Sequence, residues 1–225
     1  DLDVVAVRSA LEKAFAGWGP GAAFTRIPDP LVVPKPARFV IQTPDKQNAS
    51  MALKLPLALN DRSSEHVAMR MADYLLGGGG HSRLWKRIRE TDGLSYDVRT
   101  GVSWNAFEEH STFTASAIFA PQNAPQVEAA FRDELTRALE RGFTAQELAE
   151  GKRGLLAFRS LGRSQDDRLA ATLSSNVYLG RTFAEAERID RELRALTLEQ
   201  VNAALRRHLK PAEFVQGIAG DFKPK

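Results

Sequence analysis

Three segments of the chain place apolar residues with period two, and that spacing admits little besides β-strands with one buried face. In Ala49–Leu57 (ASMALKLPL), Met51, Leu53, Leu55 and Leu57 share a face. Between residues 94 and 104 the same holds for Leu94, Tyr96, Val98, Thr100, Val102 and Trp104. Phe113, Ala115, Ala117 and Phe119 repeat the pattern. Two further strands are expected, at Ala37–Thr43 (ARFVIQT) and at Glu213–Gly220 (EFVQGIAG). The strands at 94–104 and 113–119, this close in the chain, are expected to pair antiparallel.

Helical patterns fill the rest. One helix is expected from Ser63 to Leu76. Another is expected from Pro125 to Arg141, where Val127, Phe131, Leu135 and Ala138 form a stripe closed by Gly142. Thr144 with Glu147, Thr182 with Glu185, and Thr197 with Gln200 have the spacing of capping boxes. The last helix stops before Pro211. Strands, helices and a closing strand predict an α+β domain, with helices packed on one face of a mostly antiparallel sheet.

The first 36 residues read differently. Asp1–Trp18 predicts a helix capped by Asp3, with Val4, Val7, Leu11, Phe15 and Trp18 as its apolar stripe and Gly19-Pro20-Gly21 as its stop. Pro28, Pro30, Pro34 and Pro36 make residues 19–36 a stiff extended linker. The expected organisation is the terminal helix of a preceding domain (1–18), a proline-rich linker (19–36) and one domain (37–225).

Composition narrows the chemistry. Thirty-one Lys and Arg against 28 Asp and Glu give a net charge of +3, too little to demand a nucleic acid or an anionic membrane. No apolar run has the length to span a bilayer. The absence of cysteine excludes disulfides, thiolate zinc ligands and cysteine nucleophiles. A helical zinc site needs two histidines four apart with a glutamate between. In RSSEH, Arg62 stands where the first ligand would be, and in AFEEH, Ala106 does. No serine-hydrolase elbow is present, and Ser82 reads as the N-cap of a helix over Arg83–Glu90. The run Gly77–Gly80 ends in Gly-His-Ser after a helix, not in the Gly-Lys-Ser/Thr of a phosphate loop. Arg83, Lys86, Arg87 and Arg89 crowd the following helix and read as a solvated face.

The stretch LLGGGGHSRLWKRIRETDGLSYDV (Leu75–Val98) resembles the second-domain motif of the M16 metallopeptidases, the pitrilysin, insulysin and mitochondrial processing peptidase group. The matching residues are Leu76, Gly77, Gly78, Ser82, Arg83, Leu84, Ile88, Arg89, Gly93, Leu94 and Tyr96. GFTAQELAEGKRGLL (Gly142–Leu156) and IAGDF near the C-terminus add to the likeness, which covers roughly Pro36 to Phe222.

The resemblance implies an M16-like (LuxS/MPP-like) fold and a non-catalytic C-terminal domain. It implies no metal in this chain and zinc in a catalytic domain of a longer peptidase. The implied partners are a catalytic M16 domain or subunit and a peptide substrate, with no nucleic acid and no membrane. The implied substrate-binding residues are Arg89, Tyr96, Gly77, Gly78, Gly79 and Gly80. Tyr O–H and guanidinium donors suit a peptide carbonyl and the oxyanion that develops from it. A structural or assembly subunit of the same fold is the alternative. Compartment is not readable from the chain, although export to a bacterial periplasm agrees with such relatives.

Overall fold

The structure is a computed structural model that describes residues 2–19 and 21–222. Asp1 of the expected first helix and Pro20 of its expected stop lie outside the described residues. Five strands form one sheet: β1 (Ala37–Gln42), β2 (Ala49–Leu57), β3 (Ser95–Ser103), β4 (Ser111–Phe119) and β5 (Val215–Gly220). Their spatial order is β1-β5-β2-β4-β3. β1 and β5 are parallel and every other pair is antiparallel. The closing strand starts at Val215, two residues later than expected, because Pro211–Glu213 forms a 3₁₀ turn.

The period-two residues behave as their spacing requires. Met51, Leu53, Leu55 and Leu57 of β2 are buried, as are Phe113, Ala115, Ala117 and Phe119 of β4. Their alternates Ser50, Ala52 and Lys54 are exposed. Onto the apolar face pack α2 (His66–Asp73), α3 (Ala124–Arg141), α4 (Ala145–Arg163), α6 (Ala184–Ala195) and α7 (Leu198–His208), and α5 (Asp166–Tyr178) lies outside them with no buried residue. The α+β architecture with helices on one face is as expected.

Three helix boundaries depart from the sequence pattern. α2 begins at His66, not Ser63, because Asn60 N–H donates to Ser63 Oγ (2.9 Å) and Arg62 N–H to Asn60 Oδ1 (2.9 Å). Those local bonds hold residues 60–63 in a turn. Thr144 and Thr197 form complete capping boxes. Thr182 does not: α6 starts at Ala184, whose N–H donates to Thr182 Oγ1 (3.3 Å), and Glu185 turns its carboxylate to Arg188. The first helix, α1 (Val4–Ala14), is capped by Asp3 as expected but ends four residues before Trp18. Phe15 is its cap and Trp18 N–H donates back to Phe15 O. Gly17 and Gly19, with their high helical entropy cost, do not extend it. No residue of α1 is buried.

The proline-rich segment is pinned to the β3–β4 connection. Arg26 pairs with Glu108 and lies 4.5 Å over the Phe107 ring. Asp29 meets His110 Nδ1 (3.1 Å) and Asn105 Nδ2 (3.1 Å). From there residues 30–36 lead into β1.

Candidate functional site

The motif Leu75–Val98 folds as helix, tight turn, helix, turn and edge strand. α2 runs on into a π-helical turn, Tyr74–Gly78, closed by Gly79 N–H donating to Tyr74 O (2.9 Å). Glycine is required here by close approach. A Cβ on Gly77 would lie 2.6 Å from Thr100 Cγ2 of β3, so the turn seats directly on the strand. A Cβ on Gly79 would meet the Tyr74 ring at 2.9 Å. Gly77 and Gly79 are buried, while Gly78 and Gly80 are exposed. The run Gly77–Gly80 is thus half packing surface and half open backbone.

The following helix covers residues 83–91 and is π-helical from Trp85 to Thr91. Ser82 occupies its start, and its carbonyl accepts from Lys86 N–H (3.0 Å). Its hydroxyl does not cap: Ser82 Oγ is buried without a hydrogen-bond partner, which corrects the expected N-cap role. Arg83 is structural. It makes a bidentate pair with Glu147 (2.7 and 2.9 Å), donates to Gly142 O (2.7 Å) and stacks 4.8 Å from the Phe143 ring centroid. Glu147 is also the returning member of the α4 capping box, so one carboxylate joins the motif helix to α4. A pairing across 64 positions has no signature in local sequence.

Arg89 is exposed, with its guanidinium carbon 4.1 Å from the Trp85 ring centroid, and Trp85 Nε1–H donates to Glu90 (3.2 Å). Asp92 takes Arg87 as its partner (2.7 Å) and leaves Arg89 free of it. Gly93, at φ +62, makes the left-handed turn into the strand, and Leu94 N–H donates to Ile88 O (2.9 Å).

Tyr96 then departs from its sequence pattern. The alternation places it on the core face with Val98 and Thr100, yet it is 59% exposed. A β-bulge between Ser95 and Asp97 inserts Tyr96 as an extra residue against β4, since Ser95 pairs with Phe119 and Asp97 with Ile118. Ser95 takes the buried position: its Oγ donates to Ile118 O (2.6 Å) and accepts from Asp97 N–H (3.1 Å). One inserted residue reverses the side to which the next side chain points. Arg89 and Tyr96 therefore both project into solvent from the two elements flanking the Asp92–Gly93 turn. The open glycines Gly78 and Gly80 instead rim a cavity of about 350 Å³ that also takes in Arg70 and Asp73 of α2. The one advance sign of that cavity is a cation, Arg70, set between two methionines of an apolar helix.

The zinc that an M16 likeness brings to mind does not fit these residues. His66 is 2% exposed, its ring stands edge-on to Trp104 at 4.4 Å, and neither ring nitrogen has a partner. Burial, with Arg70 and Arg188 nearby, pushes its pKa down to about 4. Glu65 is taken by Arg207 (2.9 Å) and His208 (3.0 Å), and Asp61 by Arg181 (2.6 Å). Among the described residues no group of three His, Asp or Glu side chains is placed to hold a metal.

The chain is 26% identical over 189 residues to an uncharacterized zinc protease of Mycobacterium tuberculosis (strain H37Rv), covering 83% of the chain and 41% of that protein. It is 22% identical over 180 residues to the non-peptidase homolog YmxG of Helicobacter pylori, covering 80% and 41%. The chain thus spans about two fifths of the length of these curated relatives. The fold is that of a peptidase M16 inactive domain from Pseudomonas fluorescens (TM-score 0.81, 24% identity, covering 100% of this chain and 53% of that one). The Peptidase M16 inactive domain family matches residues 1–155, well over half of the chain, and the chain belongs to that family.

Proposed function

We propose that this chain is the non-catalytic, substrate-binding domain of a zinc metallopeptidase, which pairs with a catalytic M16 domain and helps enclose the peptide. The zinc is supplied by that catalytic partner. The observation that carries the reading is the Ser95/Asp97 bulge. It exposes a tyrosine that the strand pattern would otherwise bury, and bulges of this kind re-aim side chains at functional sites. Trp85 under Arg89 supports the reading too, because a stacked guanidinium keeps its donors directed outward. Arg89 and Tyr96 then donate to backbone carbonyls of an extended peptide, and the exposed backbone of Gly78 and Gly80 adds to that surface. A donor that reaches the scissile carbonyl strengthens as oxyanion charge develops. α1 and the linker belong, in this reading, to a unit that precedes the domain.

The test is Arg89→Ala and Tyr96→Phe in the full-length protein with its catalytic partner. Each should leave stability within about 1 kcal/mol, as exposed positions do. At least one should lower peptide turnover, on the order of a hundredfold if it serves the oxyanion. Unchanged kinetics in both variants would end the substrate-contact reading. The second reading, a structural subunit with no proteolytic role, is favoured by the likeness to a non-peptidase homolog. It predicts no metal-dependent peptide hydrolysis by the full-length protein.

A further inference from the structure

Arg70 sits on α2 between Met69 and Met71, both fully buried. Its guanidinium has no ion pair and no hydrogen bond among the described residues, and burial, with Arg159 nearby, lowers its pKa. Its neighbour Arg159 is engaged, sharing Asp190 with Arg163. A half-buried, unpaired cation is costly to keep, and such groups persist where a ligand completes them. Arg70 lines the cavity of about 350 Å³ rimmed by Gly78–Gly80. Asp73 lines the same cavity, and its Oδ1 is sealed from solvent without a partner. A Cβ on Gly78 would stand 3.1 Å from Asp73 Oδ2, so the missing side chain leaves that carboxyl group open on one side.

We propose that this cavity binds a peptide carboxylate, paired to the Arg70 guanidinium and sharing a proton with the Asp73 carboxyl group. The peptide as source of the carboxylate rests on the substrate-binding reading above; the cavity's chemistry stands on its own residues. One guanidinium beside one acidic group matches a singly charged carboxylate. A phosphate dianion would meet the Asp73 oxygens with a second negative charge. The groups facing Asp73 are few. α2 contributes Arg70, the π-helical turn contributes Tyr74 and β3 the Thr100 hydroxyl, while Arg159 of α4, held by Asp190 of α6, stands near Arg70. The bound carboxylate adds a like charge next to Asp73, so Asp73 stays protonated to higher pH and binding takes up a proton from solvent.

The experiment titrates the ¹⁵N-labelled chain with three peptides, following the Gly78, Gly79 and Gly80 amide signals. The probes are N-acetyl-tetra-alanine with a free C-terminus, N-acetyl-tetra-alanine amide, and N-acetyl-Ala-Glu-Ala-Ala amide, so that the carboxylate is their one charge. At least one carboxylate-bearing peptide should bind, and the uncharged amide should bind at least tenfold more weakly. Preference for the free terminus assigns a chain end, and preference for the glutamyl amide assigns an acidic side chain. Affinity should rise about tenfold from pH 7.5 to 5.5. Arg70→Gln should weaken binding at least tenfold, and Arg70→Lys should retain part of it. Asp73→Asn should bind without the pH dependence. Equal binding of the uncharged amide, no binding of either carboxylate, unchanged affinity in Arg70→Gln, or an undiminished pH slope in Asp73→Asn would overturn the proposal. Arg70→Gln and Asp73→Asn test the cavity through this titration, and Arg89→Ala and Tyr96→Phe test the surface through turnover, so failure of one reading is distinguishable from failure of the other.

Discussion

Replacing His66 should expose a pH dependence that the intact protein conceals. The His66 ring is sealed under Trp104, and burial first, then Arg70 and Arg188, brings its pKa from 6.5 to about 4. Between those values the unfolded chain holds a proton that the folded chain does not. Stability from this group is therefore complete above pH 6.5 and is lost as pH falls toward 4. At ~1.36 kcal/mol per pH unit, the loss is about 3.4 kcal/mol. Asp73, one helical stretch away, acts in the opposite sense. Burial raises its pKa from 3.8 to about 6, so its contribution is complete below pH 3.8 and is lost as pH rises through 6, by about 3 kcal/mol. The two slopes cancel to within about 1 kcal/mol across pH 4 to 6. The carboxylates held low by arginine partners, Glu147 and Asp190 among them, lose their contribution only as pH falls from the ordinary carboxylate range, at and below the acid edge of that window. His66→Phe, which keeps the aromatic contact, should give a protein whose stability falls by about 3 kcal/mol between pH 4 and 6. Asp73→Asn should give one whose stability rises by a similar amount. Urea unfolding at half-unit pH steps measures both, with slopes read from transitions of constant m. If the profiles of both variants run parallel to that of the parent chain, the two buried groups are not titrating as their surroundings require.

Three further outcomes follow from the packing. Gly77→Ala places a methyl group 2.6 Å from Thr100 and should destabilise the chain by about 1–3 kcal/mol, whereas Gly80→Ala, which meets nothing within 4 Å, should be nearly silent in the same melts. Arg83→Ala strips Glu147 and Gly142 of a partly buried partner and should cost about 3 kcal/mol, against under about 1 kcal/mol for Arg99→Ala, whose pairing with Asp97 is exposed. Backbone amides of Val4–Ala14 should exchange with solvent orders of magnitude faster than those of α2 or α7, because an 11-residue helix with no buried residue has only its own weak propensity to hold it.

Much of the architecture was readable in the chain because it rests on periodicities that need no partner to be recognised. β2 and β4 followed from residues two apart, and α4 and α7 from caps that close within three residues. The Leu75–Val98 motif carried its family likeness in the same local way, through glycines, a turn and an Arg-to-Tyr spacing. Tertiary structure decided what those elements do to single side chains. Tyr96 sits in phase with Val98 and Thr100 in sequence, and only the pairing of Ser95 and Asp97 against β4 turns it outward. Thr182 and Ser82 have the residue types of caps, but Arg188 captures the glutamate of one and burial isolates the hydroxyl of the other. Gly77 and Gly79, implied by the resemblance as substrate-binding residues, are buried in close contact with Thr100 and Tyr74. Arg83 gained its role from a carboxylate 64 residues away, and Arg70 was left without an ion pair although Asp73 lines the same cavity. Local order is encoded by spacing within a few residues. Register, bulges and the pairing of buried charges depend on which surfaces meet, and only the folded chain brings those surfaces together.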